Sequence, residues 1–187
     1  MSSKKQYKFR GKVYKAPSLV KLCTESPEYN YYFDAFVDYW RYGPHHILGR
    51  DVYCTDPDNA IENGLKHVHT DMGLYIPADK KDYTSLEPHW NKWKTFLAAN
   101  DSDEWDPIQF KLKLPTSDSF IVYSINEYRD ALVHDVIPCN GHKEIRKMDR
   151  IEVYMQQIYK HGLPAGVKAF PSDEYPFDEK WILPPED

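Results

Sequence analysis

The chain has 187 residues, enough for one domain with extensions, and 41% of them are hydrophobic, which is enough to bury a real core. Net charge is −5, but residues 1–21 hold Lys4, Lys5, Lys8, Arg10, Lys12, Lys15 and Lys21 and no acid, so they carry +7 and the remainder −12. A basic arm can touch phosphate, whereas the acidic body is excluded as a general nucleic-acid binder.

Residues 1–25 read as the basic N-terminal arm, with Tyr7 to Tyr14 alternating loosely as an edge strand. A helix is predicted at about 27–42. Tyr29, Tyr32, Phe33, Phe36, Val37 and Trp40 form one apolar stripe, with Ser26 as N-cap, Pro27 at the first position and Gly43 as the stop before Pro44. Leu48-Gly49-Arg50-Asp51 reads as a turn, Pro57 and Gly64 bracket a short helix or turn, and Leu65 to His69 reads as a brief strand. Residues 70–106 are irregular by pattern, with a helical piece around Trp90, Trp93, Phe96 and Leu97.

From residue 107 the alternation sharpens. Ile108, Phe110, Leu112 and Leu114 predict a strand, Ser119 to Ile125 a second and Ala131 to Ile137 a third, the last two joined as an antiparallel hairpin. Ile145, Met148, Ile151, Met155 and Ile158 predict a helix over 143–160, ended by Gly162; from Pro164 onward the Pro-rich tail is expected to be extended. The expected fold class is α+β, an antiparallel sheet (a three-stranded meander plus an edge strand) with helices packed on one face. Cys23, Cys54 and Cys139 are odd in number and widely spaced, which argues against a disulfide framework or a Cys-paired zinc site. With no apolar leader and no membrane-length run, a reduced, cytoplasmic protein without membrane association is expected.

Several groups carry candidate chemistry. Arg50 beside Asp51 can hold a phosphate or form an internal ion pair. His67 and His69 share a strand face and can handle protons; with Asp71 they suggest a metal-dependent hydrolase as an alternative, but no third and fourth ligand stands at a set spacing, so no metal is expected. Adjacent His45 and His46 diverge. Thr116-Ser117-Asp118 reads as a turn that starts a strand, and Tyr123 faces opposite to Val122, toward a concave sheet face. On a helix starting near 143, Lys143, Lys147 and Arg150 fall on one face, with Arg146 next to Arg150 and His142 at the mouth. Such a face suits RNA backbone contact and phosphoryl transfer, although a solvated charged face is the ordinary alternative. The chain has no phosphate-binding glycine loop, dinucleotide fingerprint, Gly-x-Ser-x-Gly elbow or Cys-x-x-Cys, which argues against nucleotide-dependent and serine-hydrolase activities.

Taken in order, Phe36-Val37-Asp38-Tyr39-Trp40-Arg41-Tyr42-Gly43, Gly49-Arg50-Asp51, His67-Val68-His69, Thr116-Ser117-Asp118, Ile121-Val122-Tyr123, and Pro138 with His142-Lys143 resemble the landmarks of the YafO family of bacterial toxins. Pro115 stands where that family's pattern has an arginine. The resemblance spans roughly residues 26–160, with an irregular insertion at about 71–106, and leaves 161–187 as a tail. It implies a RelE-like domain and the toxin component of a type II toxin–antitoxin system. Such a toxin is a ribosome-dependent mRNA interferase that cuts mRNA and inhibits translation without metal or cofactor. Its expected partners are mRNA on the ribosome and a cognate antitoxin protein, with no DNA binding by itself. In that frame His142 is the acid or base, Lys143 and Arg50 stabilise phosphate, and Tyr123 stacks on or orients a base. His67 and His69 are secondary proton carriers, and Arg146, Lys147 and Arg150 bind RNA. A non-catalytic protein-binding or regulatory module on the same scaffold is the alternative from another class.

Overall fold

The structure, a computed structural model, describes residues 8–57, 59–75, 87–99 and 114–184. The predicted strand over Ile108, Phe110 and Leu112 lies outside the described residues.

Five strands, β1 (Val13–Lys15), β2 (Leu48–Tyr53), β3 (Leu65–Thr70), β4 (Phe120–Ile125) and β5 (Ala131–Ile137), form one sheet in the order β1-β5-β4-β3-β2. β2 to β5 pair antiparallel, and β1 joins the edge parallel to β5. The class is therefore α+β and the sheet is mixed. The hairpin β4–β5 and strand β3 fall where the pattern placed them, whereas the edge strand expected over Tyr7 to Tyr14 is confined to Val13–Lys15.

The helices are α1 (Pro17–Glu25), α2 (Tyr29–Tyr42), α3 (Glu87–Ala99), α4 (Gly141–Glu144) and α5 (Met148–Gln157), the last running into a π-helical turn at Ile158–Gly162. They cover both faces of the sheet, which corrects the expected one-sided layer. Leu19 of α1 and Ala35, Phe36 and Trp40 of α2 pack on Val68, Ile121, Tyr123 and Val133. Ile151, Tyr154 and Met155 of α5 pack on Leu65, Phe120, Val122 and Ile137 from the other side. The cause lies in the strands: every residue of β3 and of β4 is buried, so neither face can be left to water.

Three local expectations are corrected. Ser26 does not cap α2; its N–H bonds the Leu22 carbonyl at 2.8 Å and closes α1, which starts with Pro17 at its first turn. Gly43 ends α2 as expected, with φ +92° and its N–H on Tyr39 O. Gly49-Arg50-Asp51 is no turn but part of β2, where the register shifts between Leu48 and Asp51; a Cβ on Gly49 would run into the Pro115 carbonyl. The predicted helix 143–160 breaks at Lys147, which is extended at φ −71°, ψ 120°. Ile145 and Ile151 sit about 120° apart on a regular helix, so an unbroken one would bury only one of them well. The break buries both and leaves Met148 exposed.

Residues 8–25 and 161–184, the described parts of the expected arm and tail, are bound to this body. Arg129, fully buried with φ +63°, donates to the carbonyls of Arg10, Trp40 and Pro176, and lies against the rings of Phe9, Trp40 and Phe177. Phe9 from one end and Phe170 and Phe177 from the other join the core. Among the described residues no helix is long and apolar enough to cross a membrane.

Candidate active site

α5 and the turn after it pack over β4 and β5, and beside them β2, β3 and α4 leave a cleft of about 300 Å³. Its walls include Arg50, Val52 and Cys54 from β2 and just beyond it, His67 and His69 from β3, and His142, Ile145 and Arg146 from α4 and its exit. Alternation puts His67 and His69 on this face of the sheet and Lys66 and Val68 on the other.

His142 arrives by a tight route. β5 ends at Ile137, Asn140 adopts the left-handed conformation (φ +53°), and the start of α4 presses on Asp118 and Phe120. A Cβ on Gly141 would lie 2.6 Å from the Phe120 ring and 2.9 Å from the Asp118 carbonyl, so glycine is required for this approach. Asp118 Oδ1 then accepts twice from His142, from the backbone N–H at 3.0 Å and from Nδ1–H at 2.8 Å. That pairing puts the ring proton on Nδ1 and leaves Nε2 as the basic nitrogen.

The other two imidazoles are held differently. His69 Nδ1 lies 2.7 Å from Ser117 O and 3.0 Å from Ser117 N, so either tautomer finds a backbone partner. His67 Nδ1 is 3.6 Å from Cys54 Sγ. The Phe120 ring packs against all three, with centroids at 4.3, 4.8 and 4.9 Å from His67, His69 and His142. Burial pushes His67 down to about 3 and His69 to about 4, with neighbouring positive charge adding to the effect, so both are neutral at pH 7. They therefore do not act as imidazolium acids at that pH. Burial also lifts the Cys54 thiol to about 12, with Asp51 adding to it, so Cys54 is no thiolate nucleophile.

Cationic groups stand at the rim. Arg50 is exposed and has its backbone N–H on Pro115 O at 2.9 Å, which fixes the strand that carries it. Arg146 is 3.7 Å from Asp56, both side chains largely in water, an arrangement that an incoming phosphate can replace at little cost.

Of the residues expected to act together, the structure collects His142, Arg50, His67, His69 and Arg146 in one cleft and separates the rest. Tyr123 is fully buried on the opposite face, where its hydroxyl donates to Asp51 Oδ2 at 2.6 Å, so it has no base to stack on. Lys143 is exposed and is not part of the cleft wall. Lys147 pairs with Glu144 at 2.7 Å, and Arg150 with Asp135 at 2.6 Å and Glu144 at 3.3 Å, so the expected cationic face is taken up by local ion pairs. Asp71 is turned to Lys94 Nζ (2.7 Å) and the Tyr75 hydroxyl (2.8 Å) rather than to His67 and His69. Among the described residues no group of three or more His, Cys, Asp or Glu side chains is arranged to hold a metal ion.

Asp118, which orients His142, is the candidate site residue that the sequence reading did not assign a role. It reads as a turn residue, and its partner lies 24 positions downstream. Its sequence signal is the Thr116-Ser117-Asp118 turn, which marks the residue but not its partner. Compared with protein-family models, curated proteins and solved structures, the chain matches none.

Proposed function

We propose that the chain is a metal-independent endoribonuclease, the toxin of a toxin–antitoxin pair that cuts mRNA on the ribosome. The observation that carries the chemistry is His142, oriented by Asp118 at a cleft that also holds Arg50 and Arg146. The ribosome, the antitoxin and the toxin role rest on the resemblance to the YafO family.

In this reading the scissile phosphate sits between the two guanidinium groups, which offset the charge that builds on its oxygens in the transition state. His142 Nε2 takes the proton of the ribose 2′-hydroxyl as that oxygen attacks phosphorus. The imidazolium formed lies against the Asp118 carboxylate, which stabilises it. The bond from phosphorus to the 5′ oxygen breaks, and water in the open cleft protonates the leaving oxygen; the products are a 2′,3′-cyclic phosphate and a 5′-hydroxyl. Neutral His69, with Nδ1 accepting from the Ser117 N–H, offers its Nε2–H to the phosphate without changing the charge of the site.

The test is expression in a bacterium followed by mapping of mRNA ends on ribosomes. The intact chain is expected to arrest growth and leave new mRNA ends. His142→Ala should slow cutting by on the order of a hundredfold or more, the usual worth of a positioned acid–base group. Undiminished cutting by a folded His142→Ala chain removes that residue from the role.

A further inference from the structure

A second polar group lies on the same side of the sheet, beside a cavity that shares no wall residue with the first cleft. His134 sits where the β4–β5 register slips, between Asp135 opposite Val122 and Val133 opposite Tyr123, and it is fully buried. Its Nδ1 is 3.0 Å from Gln157 Oε1 on α5 and its Nε2 is 3.0 Å from Ser124 Oγ on β4. A carboxamide oxygen only accepts, so Nδ1 carries the proton and Nε2 accepts from the Ser124 hydroxyl. Ser18 Oγ, 2.6 Å from the His134 carbonyl and 3.0 Å from Gln157 Oε1, braces the far end. Burial pushes His134 down to about 4, so the imidazole is neutral and free to accept at pH 7.

This chain of groups ends at a cavity. Ser124 lines a cleft of about 680 Å³ whose apolar walls include Val20, Ile125, Leu132 and Leu163. Asn126, two residues along on the same strand face, lines it too. Its Oδ1 already accepts from the N–H groups of Tyr128 and Asp130, which leaves Nδ2, 3.4 Å from the Gly162 carbonyl, as an amide donor beside the hydroxyl. A nucleophile and an N–H donor thus line a pocket with apolar sides, with the base and its orienting group buried behind the nucleophile, the set that acyl transfer needs.

We propose that Ser124 is a nucleophile toward carboxylic esters with a small apolar acyl group, at a site independent of RNA cleavage. Ser124 Oγ bonds to the carbonyl carbon while its proton passes to His134 Nε2. The tetrahedral adduct collapses, the bond to the alcohol oxygen breaks, and the alcohol leaves with that proton. Water then hydrolyses the acyl-serine by the same route and restores Ser124. Gln157 is neutral and does not offset the charge of the imidazolium, so acylation followed by slow turnover is the signature. The missing elbow motif argued against such chemistry, because Ser124 and His134 lie on neighbouring strands rather than in one motif.

The experiment treats the full chain with a fluorophosphonate probe and with p-nitrophenyl butyrate, and reads adducts by intact mass and peptide mapping. One adduct at Ser124 is expected, formed on the order of a hundredfold faster than on the urea-unfolded chain, the usual contribution of a general base. Ser124→Ala should take no label at that peptide and keep its RNA cleavage. A Cβ on Gly162 would lie 3.4 Å from Ser124 Oγ, so Gly162→Val, shown folded by its melting curve, should be labelled about tenfold more slowly, as ligand space is lost. No adduct at Ser124 in the folded chain, equal labelling in urea, or full-rate labelling of folded Gly162→Val overturns the proposal.

Discussion

The two faces of the central strands are made from alternate residues of the same short segments, yet they do opposite things with polar atoms. On the α2 face, the Asp51 carboxylate gathers the hydroxyls of Tyr39 and Tyr123 and the Lys66 ammonium at 3.3 Å, all under a lid of Phe36, Trp40 and Phe177. On the α5 face, His67, His69 and His142 stand around Phe120 with one carboxylate, Asp118, at the margin. The first arrangement is closed by aromatic packing and spends its hydrogen bonds inside the molecule. The second is left open because α5 lies over β4 and β5 and not over β2. Adjacent residues such as Lys66 and His67 thereby belong to a stabilising network and to a site.

That contrast can be broken by substitutions that should move one property and leave the other. Arg50→Ala removes a rim cation that no described ion pair engages, so RNA cleavage is expected to fall by about a hundredfold, the scale for losing one transition-state donor. Its melting temperature should match the parent, and a large loss of stability with unchanged cleavage would reverse the assignment of that face. Tyr123→Phe does the opposite: it takes one donor from a buried carboxylate and should cost roughly 1–2 kcal/mol in chemical denaturation. Cleavage by the folded Tyr123→Phe chain should be unchanged; a matching fall would restore Tyr123 to the site.

A smaller effect concerns acid. His67 and His69 titrate at about 3 and about 4 in the folded chain against 6.5 ordinarily, so below 6.5 the unfolded chain binds more protons than the folded one. Their contribution is present in full above that value and is lost as pH falls toward the folded values. Melting temperature should therefore drop from about pH 6.5 to about pH 4, and His69→Gln should flatten part of that slope. His45 and His134, each pushed to about 4 by burial, supply the rest. A melting temperature that rises on acidification would contradict the buried, neutral state of these rings.

Much of this was legible in the sequence, for particular reasons. β3, β4, β5 and α2 show their period in their apolar residues, and the histidine pair, Arg50 and His142 stand out by their chemistry. α1 is hidden in the sequence because only Leu19 and Cys23 of its nine residues are buried, and because Ser26-Pro27 reads as the start of a later helix. Alternation shows that Tyr123 and Val122 face apart, but not which face stays open, since that depends on where α5 docks. Lys143, Lys147 and Arg150 share a side only on an unbroken helix, and the break at Lys147 comes from the separate needs of Ile145 and Ile151. Asp118 lies far from His142 in sequence, so its role follows from the register of the strands and the turn at Asn140.

The most direct measurement is cleavage of mRNA on ribosomes whose sensitive codon carries either ribose or 2′-O-methyl ribose. The proposed site predicts cutting of the ribose form to a 2′,3′-cyclic phosphate and no cutting of the methylated one. Cutting of the methylated RNA, or cutting of the ribose form to a 3′-hydroxyl and a 5′-phosphate, would contradict a 2′-hydroxyl activated by His142.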